Sequence, residues 1–105
     1  MHPEILRHKD AIAELCLRFG VTRLEVFGSA ARGEDFDPAR SDVDLLVEFT
    51  PEARFDFAGF AGLKDALEAL FGRRVDLVDR PAIEKSRNPI RRRSILGDAQ
   101  LVFAA

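Results

Sequence analysis

The 105-residue sequence has one cysteine, no tryptophan and no tyrosine, and phenylalanine supplies all nine of its aromatic residues. A single cysteine excludes an internal disulfide and is typical of a reducing compartment, so we expect a cytoplasmic protein. With two histidines beside that cysteine, a structural zinc site is not expected. Cys16 recurs with apolar residues at helical spacing, which favours a buried core residue over a reactive thiol.

The sequence also lacks a long hydrophobic run and a large excess of either charge. No apolar stretch approaches the roughly 18 residues of a membrane span, and the first residues carry no signal-peptide pattern, so neither a membrane segment nor a secretory signal is expected. The net charge of −2 disfavours general binding to a nucleic-acid backbone, although a local basic patch stays possible in principle. The length fits one domain over residues 1–105.

The spacing of apolar residues predicts alternating helices and strands. A period near 3.6 residues indicates helices, strict alternation indicates strands, and glycines mark two helix ends. The predicted elements are a helix at 3–19, strands at 22–27 and 42–49, a helix at 56–71, a strand at 73–79, helices at 83–87 and 89–96, and a short final strand. Helices and strands mixed in this order indicate an α/β or α+β fold with a small sheet.

Two aspartates, Asp42 and Asp44, open the second predicted strand. Side chains alternate along a strand, so both carboxylates point the same way, with Cβ atoms about 6.5–7 Å apart. Such a pair can share Mg²⁺, which prefers oxygen ligands. Without a cation the two carboxylates repel each other. A solvated strand end would also tolerate the pair, so this pattern alone does not decide between the two explanations.

A Gly28-Ser29 pair follows the first predicted strand and is predicted to turn into a short helix. Such a turn exposes backbone N–H groups that bind phosphate oxygens. Gly28 has no Cβ to keep a phosphate away, the Ser29 hydroxyl can donate to it, and Arg32 can neutralise its charge. Alternatively, Gly28 only makes the turn and Ser29 caps the helix. The Gly-Ser pair is more specific when Arg-Gly and Ser-Asp-x-Asp follow it.

A third acid is expected from another strand, and Asp76 is the best candidate. It interrupts the apolar run Val75–Val78, and an aspartate in a central strand is rarely left unpaired. Asp79, just before Arg80 and Pro81, is more typical of a turn. We therefore expect Asp76 to join Asp42 and Asp44.

With these residues placed, the sequence resembles the minimal nucleotidyltransferase branch of the DNA polymerase beta nucleotidyltransferase superfamily. The resemblance rests on FGSAARG at 27–33, SDVDLLVEF at 41–49 and RRVDLV at 73–78, and NPIRRRSIL at 88–96 also resembles that branch. It covers nearly the whole chain. The twelve residues at 30–41 are about two more than the family pattern has there, an insertion that a polar loop absorbs at little cost in chain entropy. We expect the fold to tolerate it and leave its effect on substrate choice open.

The resemblance implies a mixed sheet with helices packed against it and a nucleotide cleft at the acidic strand ends. It implies transfer of a nucleoside monophosphate, AMP if ATP is the substrate, with pyrophosphate leaving and two magnesium ions assisting. By motif position, Asp42 and Asp44 would bind the metal, and Asp76 would complete the site and help deprotonate the attacking hydroxyl.

The same resemblance assigns the triphosphate to Gly28 and Ser29, with Arg32 helping to position its phosphates. Free-standing proteins of this branch often act as antitoxins beside a HEPN-type ribonuclease toxin, and some add AMP to a tyrosine of that toxin. Because this chain has no tyrosine, such an acceptor would lie on the partner of a hetero-oligomer. A non-catalytic antitoxin that masks its toxin and a small-molecule nucleotidyltransferase remain the alternatives, whereas direct nucleic-acid binding is not expected.

One basic run, Arg91-Arg92-Arg93, has two explanations. It can contact an acidic partner, RNA or the triphosphate. It can equally be the solvated face of a helix, because Ile90, Ser94 and Ile95 flank it at helical spacing.

Overall fold

A computed structural model describes residues 1–33, 37 and 41–105, which form one four-stranded mixed sheet with helices on both faces. The elements are α1 (Pro3–Arg7), α2 (Lys9–Phe19), β1 (Val21–Phe27), α3 (Ser29–Arg32), β2 (Val43–Phe49), α4 (Phe57–Phe71), β3 (Val75–Asp79), α5 (Arg80–Glu84), α6 (Pro89–Asp98) and β4 (Gln100–Ala104). The strand order is β3-β2-β1-β4. Only β2 and β3 are parallel among these pairs. The expected mixed α and β class is confirmed.

Glycines and polar caps set most of the helix ends. Gly20 and Gly72 end α2 and α4 in the left-handed conformation, as their sequence positions predicted. Asp56 accepts a hydrogen bond from the Gly59 N–H at 2.9 Å and begins α4. Asp79 begins α5 in the same way, accepting from the Ala82 N–H at 3.2 Å. Asp79 therefore ends β3 and caps α5, instead of lying in the turn that its sequence position suggested.

Two predicted helices differ from the structure. The helix expected at 3–19 is interrupted at His8, whose N–H bonds to the Ile5 carbonyl and whose carbonyl accepts the first bond of α2. The helix expected at 83–87 lies earlier, as α5, because Asp79 caps it and Pro81 fits the first helical turn, where no N–H is needed. The predicted loop at 33–41 falls largely on residues 34–36 and 38–40, outside the described residues.

Each face of the sheet carries its own apolar cluster. On one face the alternate β2 residues Val43, Leu45 and Val47 pack under α2 and α4, and all three are fully buried. On the other face Leu46 packs with residues of α5 and α6. The face of β2 that carries Asp44 is therefore covered by α5 and α6 further along the strand. None of the described helices has the length and hydropathy of a membrane span.

The only cysteine lies in the first of these clusters. Cys16 has no exposed surface, and burial raises the pKa of its thiol to about 12. A thiol that stays protonated at neutral pH is a poor nucleophile. The expectation of a core residue is confirmed.

A buried ion pair ties the second face of the sheet to α5. Glu25 on β1 is only 4% exposed and pairs with Arg80, the first residue of α5. Arg23 also forms an ion pair with Glu25, with its Nε at 3.2 Å from the carboxylate. Glu84 forms a further ion pair with the Nε of Arg80 at 3.1 Å. Breaking such a pair leaves an uncompensated buried charge, so these residues hold α5 in place.

Two helical leucines provide a matched test of this packing. Leu67 on α4 has no exposed surface, whereas Leu17 on α2 is 68% exposed. We expect Leu67→Ala to lower the free energy of unfolding by about 2–5 kcal/mol and Leu17→Ala to change it by less than about 0.5 kcal/mol. Urea denaturation of both variants measures the difference. Equal losses would contradict the observed orientation of the two helices.

Candidate active site

The parallel pairing of β2 with β3 places two of the predicted acids side by side. Asp44 and Asp76 are Cα partners in this register. Adjacent strands lie about 4.8 Å apart, and paired residues project from the same face. Asp42 precedes Asp44 by two residues, immediately before β2 begins. The structure thus brings the three aspartates to one end of β2.

Asp76 lies there for a reason other than the one its sequence indicated. We expected a central strand, but β3 is an edge of the sheet, and Asp76 is exposed. Asp42 is also exposed, and Asp44 is half-buried. Among the described residues, none of these three carboxylates forms an ion pair or accepts a side-chain hydrogen bond. The fold therefore leaves them available to a ligand.

Asp44 is the carboxylate most affected by its surroundings. Burial, as the largest cause, and the nearby charges of Asp76 and Asp42 together raise its pKa from 3.8 to about 6. The positive charge of Arg32 acts in the opposite direction. The ionised form of Asp44 is therefore disfavoured in the protein alone, and an added positive charge would stabilise it.

The Gly28-Ser29 turn directly adjoins Asp44. β1 ends at Phe27, the antiparallel partner of Asp44, so the next residue passes beside that carboxylate. Gly28 has φ 67° and ψ −149°, and a Cβ at this position would lie 2.5 Å from the Asp44 Oδ2. Both the backbone conformation and the close approach require glycine.

Ser29 is the first residue of α3 rather than its cap. Gly28 holds the cap position, and no side chain caps this helix. The alternative that Ser29 caps the helix is therefore wrong. The Gly28 carbonyl accepts from the N–H groups of Ala31 and Arg32 at 3.1 and 3.2 Å, which closes the turn. Ser29 is left half-buried beside the acids.

Two residues from the end of the described chain fasten α3. The Arg32 Nη1 contacts the Asp98 Oδ2 at 2.6 Å, and the Gln100 Nε2 donates to the Ala31 carbonyl at 3.1 Å. Arg32 thus contacts Asp98, and its charge also acts on Asp44. Sequence reasoning missed Asp98 and Gln100, because their partners are 66 and 69 residues away and no local pattern marks such a contact.

The donor set fits magnesium. Asp42, Asp44 and Asp76 offer only carboxylate oxygens, the ligands that this cation prefers, and burial first, then the charges of Asp76 and Asp42, raise the pKa of Asp44. As they stand, the described residues include no three His, Cys, Asp or Glu side chains close enough to ligate one ion. Magnesium at these aspartates would therefore need further oxygen ligands from elsewhere.

A cavity of about 620 Å³ lies away from these acids, at the other end of β2. It is lined by Glu48, Phe49, Arg54 and Asp79, among others, and by none of the three aspartates. Beside the Gly28-Ser29 turn, Asp42 and Asp76 are exposed and Asp44 is half-buried.

Asp44→Asn is expected to stabilise the metal-free protein at pH 7. Because the folded-state pKa of Asp44 is about 6 against an ordinary 3.8, the folded state holds this proton more tightly than the unfolded chain, and stability falls as pH rises between those values. The gain should be about 1–2 kcal/mol after allowance for solvent screening, and should vanish below pH 4. Urea denaturation with EDTA at several pH values measures it. Asp65→Asn, an exposed site on α4, controls for charge, and an Asp44→Asn gain that persists at pH 4 would contradict this account.

Gly28→Ala and Gly72→Ala form a second matched pair. Both glycines have φ near +66°, so either change costs about 1–2 kcal/mol of backbone strain. Only the Gly28 methyl group meets Asp44, since nothing lies within 4 Å of the corresponding position at Gly72. We expect Gly28→Ala to abolish the rise in melting temperature caused by Mg²⁺ with ATP, and Gly72→Ala to retain it. If Gly28→Ala retained the response, the close approach of Gly28 to Asp44 would not be needed for binding Mg²⁺ and ATP.

Comparison with known proteins identifies the family of this chain. The nucleotidyltransferase domain family matches residues 8–102. The protein adenylyltransferase MntA of Thermococcus cleftensis is 44% identical over 77 residues, which are 73% of this chain and 71% of that protein. A solved structure of an inferred minimal nucleotidyltransferase is 42% identical, with a TM-score of 0.70 over 95% of both chains.

A more distant structure shares the fold alone. It is a toxin-antitoxin complex with AMP-PNP, 18% identical, with a TM-score of 0.59 over 92% of this chain and 73% of that one. The family match spans nearly all of the residues that form the sheet, the Gly28-Ser29 turn and the three aspartates. The chain therefore belongs to the nucleotidyltransferase family, on its minimal nucleotidyltransferase branch, and is a nucleotidyltransferase.

Proposed function

We propose that this nucleotidyltransferase transfers AMP from ATP to a hydroxyl group of a partner protein, with magnesium at Asp42, Asp44 and Asp76. One observation carries the proposal: the β2–β3 register sets Asp76 beside Asp44, while the Gly28-Ser29 turn reaches the same carboxylate. Acids and a phosphate-binding turn at one place are what transfer from a nucleoside triphosphate needs. In this proposal residues 1–105 act as one catalytic domain in the cytoplasm.

Each residue has a defined part in the proposed reaction. The N–H groups after Gly28 and the Ser29 hydroxyl bind the triphosphate, and Arg32 offsets its charge. Asp42, Asp44 and Asp76 would hold magnesium, which would supply charge neutralisation at the phosphates and lower the pKa of the attacking hydroxyl. Asp76, exposed on the edge strand, accepts the hydroxyl proton. The acceptor oxygen bonds to the α-phosphorus, the bond from that phosphorus to the bridging oxygen breaks, and pyrophosphate leaves with the electron pair.

The protein acceptor is supported by the relatives. MntA of Thermococcus cleftensis is named a protein adenylyltransferase, and the more distant complex pairs a toxin with an antitoxin in the presence of AMP-PNP. This chain has no tyrosine, so a tyrosine acceptor belongs to another molecule. We infer a HEPN-type toxin as that partner and an antitoxin role for this chain, within a hetero-oligomer.

A transfer assay tests the proposal. The protein is incubated with Mg²⁺, α-labelled ATP and the product of the adjacent reading frame, and AMP on that product is measured by intact mass and located by peptide mapping. We expect AMP on a tyrosine of the partner, and a loss of at least about a hundredfold in rate for Asp42→Asn with Asp44→Asn. Asp65→Asn is the control for an acid outside the site.

The other outcomes distinguish the alternatives. A stable complex without transfer would overturn the enzymatic mechanism and indicate an antitoxin that masks its toxin by binding. Neither complex nor transfer, together with a melting temperature that responds to Mg²⁺ and ATP, would indicate a small-molecule acceptor. A melting temperature that is the same with and without Mg²⁺ and ATP would contradict the proposed site itself.

A further inference from the structure

A cluster of cations covers the connection between α5 and α6 and the first turns of α6. Residues 85–93 contain five cations and no acid, in a chain whose net charge is −2. Lys85, Arg87, Arg91 and Arg93 are exposed, and so is Ile90, at 80%. We call these five residues the basic surface. The fifth cation, Arg92, donates from its Nη1 to the Ser86 carbonyl at 2.6 Å and fixes the connection instead.

The cations of the basic surface are not used by the fold. Within the part of the chain that the structure describes, none of the four forms an ion pair, whereas other cations do: Arg7, Arg23, Arg32, Lys64 and Arg80. Their placement is also electrostatically unfavourable. Arg91 lies in the first turn of α6, where the helix dipole disfavours positive charge, and no acid occupies that turn.

The basic surface lies on and next to α6, the helix whose other end contacts α3 of the candidate active site. The inward side chains Ile95 and Leu96 of α6 pack with Phe27 and Leu46, on the sheet face that carries Asp44. The helix ends at Asp98, which holds Arg32. With a rise of about 1.5 Å per residue, Arg93 and Arg91 lie about 7–11 Å along the helix axis from Asp98. A molecule bound there is therefore within reach of the phosphate-binding turn.

The composition of the basic surface favours a protein over a nucleic acid. Its most exposed apolar side chain, Ile90, lies between the cations on the outward side of α6 and has nothing to contact on a phosphate backbone. Its residues include no aromatic ring on which bases would stack. Arginines around an exposed aliphatic side chain are typical of protein interfaces, and Arg pairs with carboxylates in a bidentate way.

We propose that the basic surface docks an acidic segment of the acceptor protein and so presents its hydroxyl to the active site. This inference rests on the proposed function, because it names the surface by which that acceptor is recognised. The basic surface would select the acceptor protein, because the catalytic residues alone do not distinguish one acceptor from another. Charge complementarity supplies the attraction and the orientation.

Peptide binding tests the inference without requiring catalysis. The probes are three fluorescent peptides of equal length, each with one tyrosine, in glutamate-rich, lysine-rich and neutral sequences, and fluorescence anisotropy gives their affinities. We expect the wild type to prefer the glutamate-rich peptide. Arg91→Glu with Arg93→Glu should weaken that binding about tenfold or more and confer binding of the lysine-rich peptide.

Matched controls separate docking from charge and from catalysis. Arg18→Glu with Arg54→Glu reverses two exposed arginines elsewhere and should keep the wild-type preference. The Arg91→Glu, Arg93→Glu variant should keep the melting-temperature response to Mg²⁺ and ATP, and the Asp42→Asn, Asp44→Asn variant should bind the peptide normally. This pattern in a protein that transfers no AMP would retain the docking surface and contradict only the proposed reaction.

Three results would overturn the inference. Equal losses in the two arginine variants would show a general charge effect. A single-stranded RNA or duplex DNA oligonucleotide that binds more tightly than the glutamate-rich peptide, and is released by Arg91→Glu with Arg93→Glu, would make this a nucleic-acid surface. Loss of the response to Mg²⁺ and ATP in that variant would assign the arginines to the triphosphate.

Discussion

The parallel register between β2 and β3 is the constraint on which the site depends. It pairs the buried residues Val43 with Val75 and Leu45 with Leu77, and in the same step pairs Asp44 with Asp76. Since side chains alternate between faces, a slip of one residue would move every member of a strand to the opposite face. The hydrophobic core thus determines the position of the acids, although no acid takes part in that core.

The arrangement of charge around Asp44 opposes folding and serves binding. Burial and two neighbouring carboxylates disfavour its ionised form, and Gly28 brings the backbone against it in a conformation that other residues adopt only under strain. The positive charge of Arg32 partly offsets the rise in the pKa of Asp44, but Arg32 also contacts Asp98. An added positive charge would favour ionised Asp44, so the feature that destabilises the protein alone would favour the binding of a cation.

The sequence was most informative where a local pattern has a single physical cause. Glycines ended two helices as expected, the Gly28-Ser29 turn was found, and the spacing of Asp42 and Asp44 marked a strand. Asp76 was identified by an argument about central strands that does not apply, because strand order is a long-range property. The break at His8 could not be predicted, since apolar periodicity continues across it and only hydrogen bonding shows it. The contacts of Asp98 and Gln100 with α3 could not be predicted either, because their partners are 66 and 69 residues away along the chain.

The link between α3 and the α6–β4 junction has a consequence for synthesis. A growing chain contains the Gly28-Ser29 turn long before it contains Asp98 and Gln100, the residues that hold α3 in place. β1, which delivers the turn, likewise has one neighbouring strand missing until β4 has been made. On the ribosome, therefore, the Gly28-Ser29 turn is among the last parts of the molecule to be fixed in place.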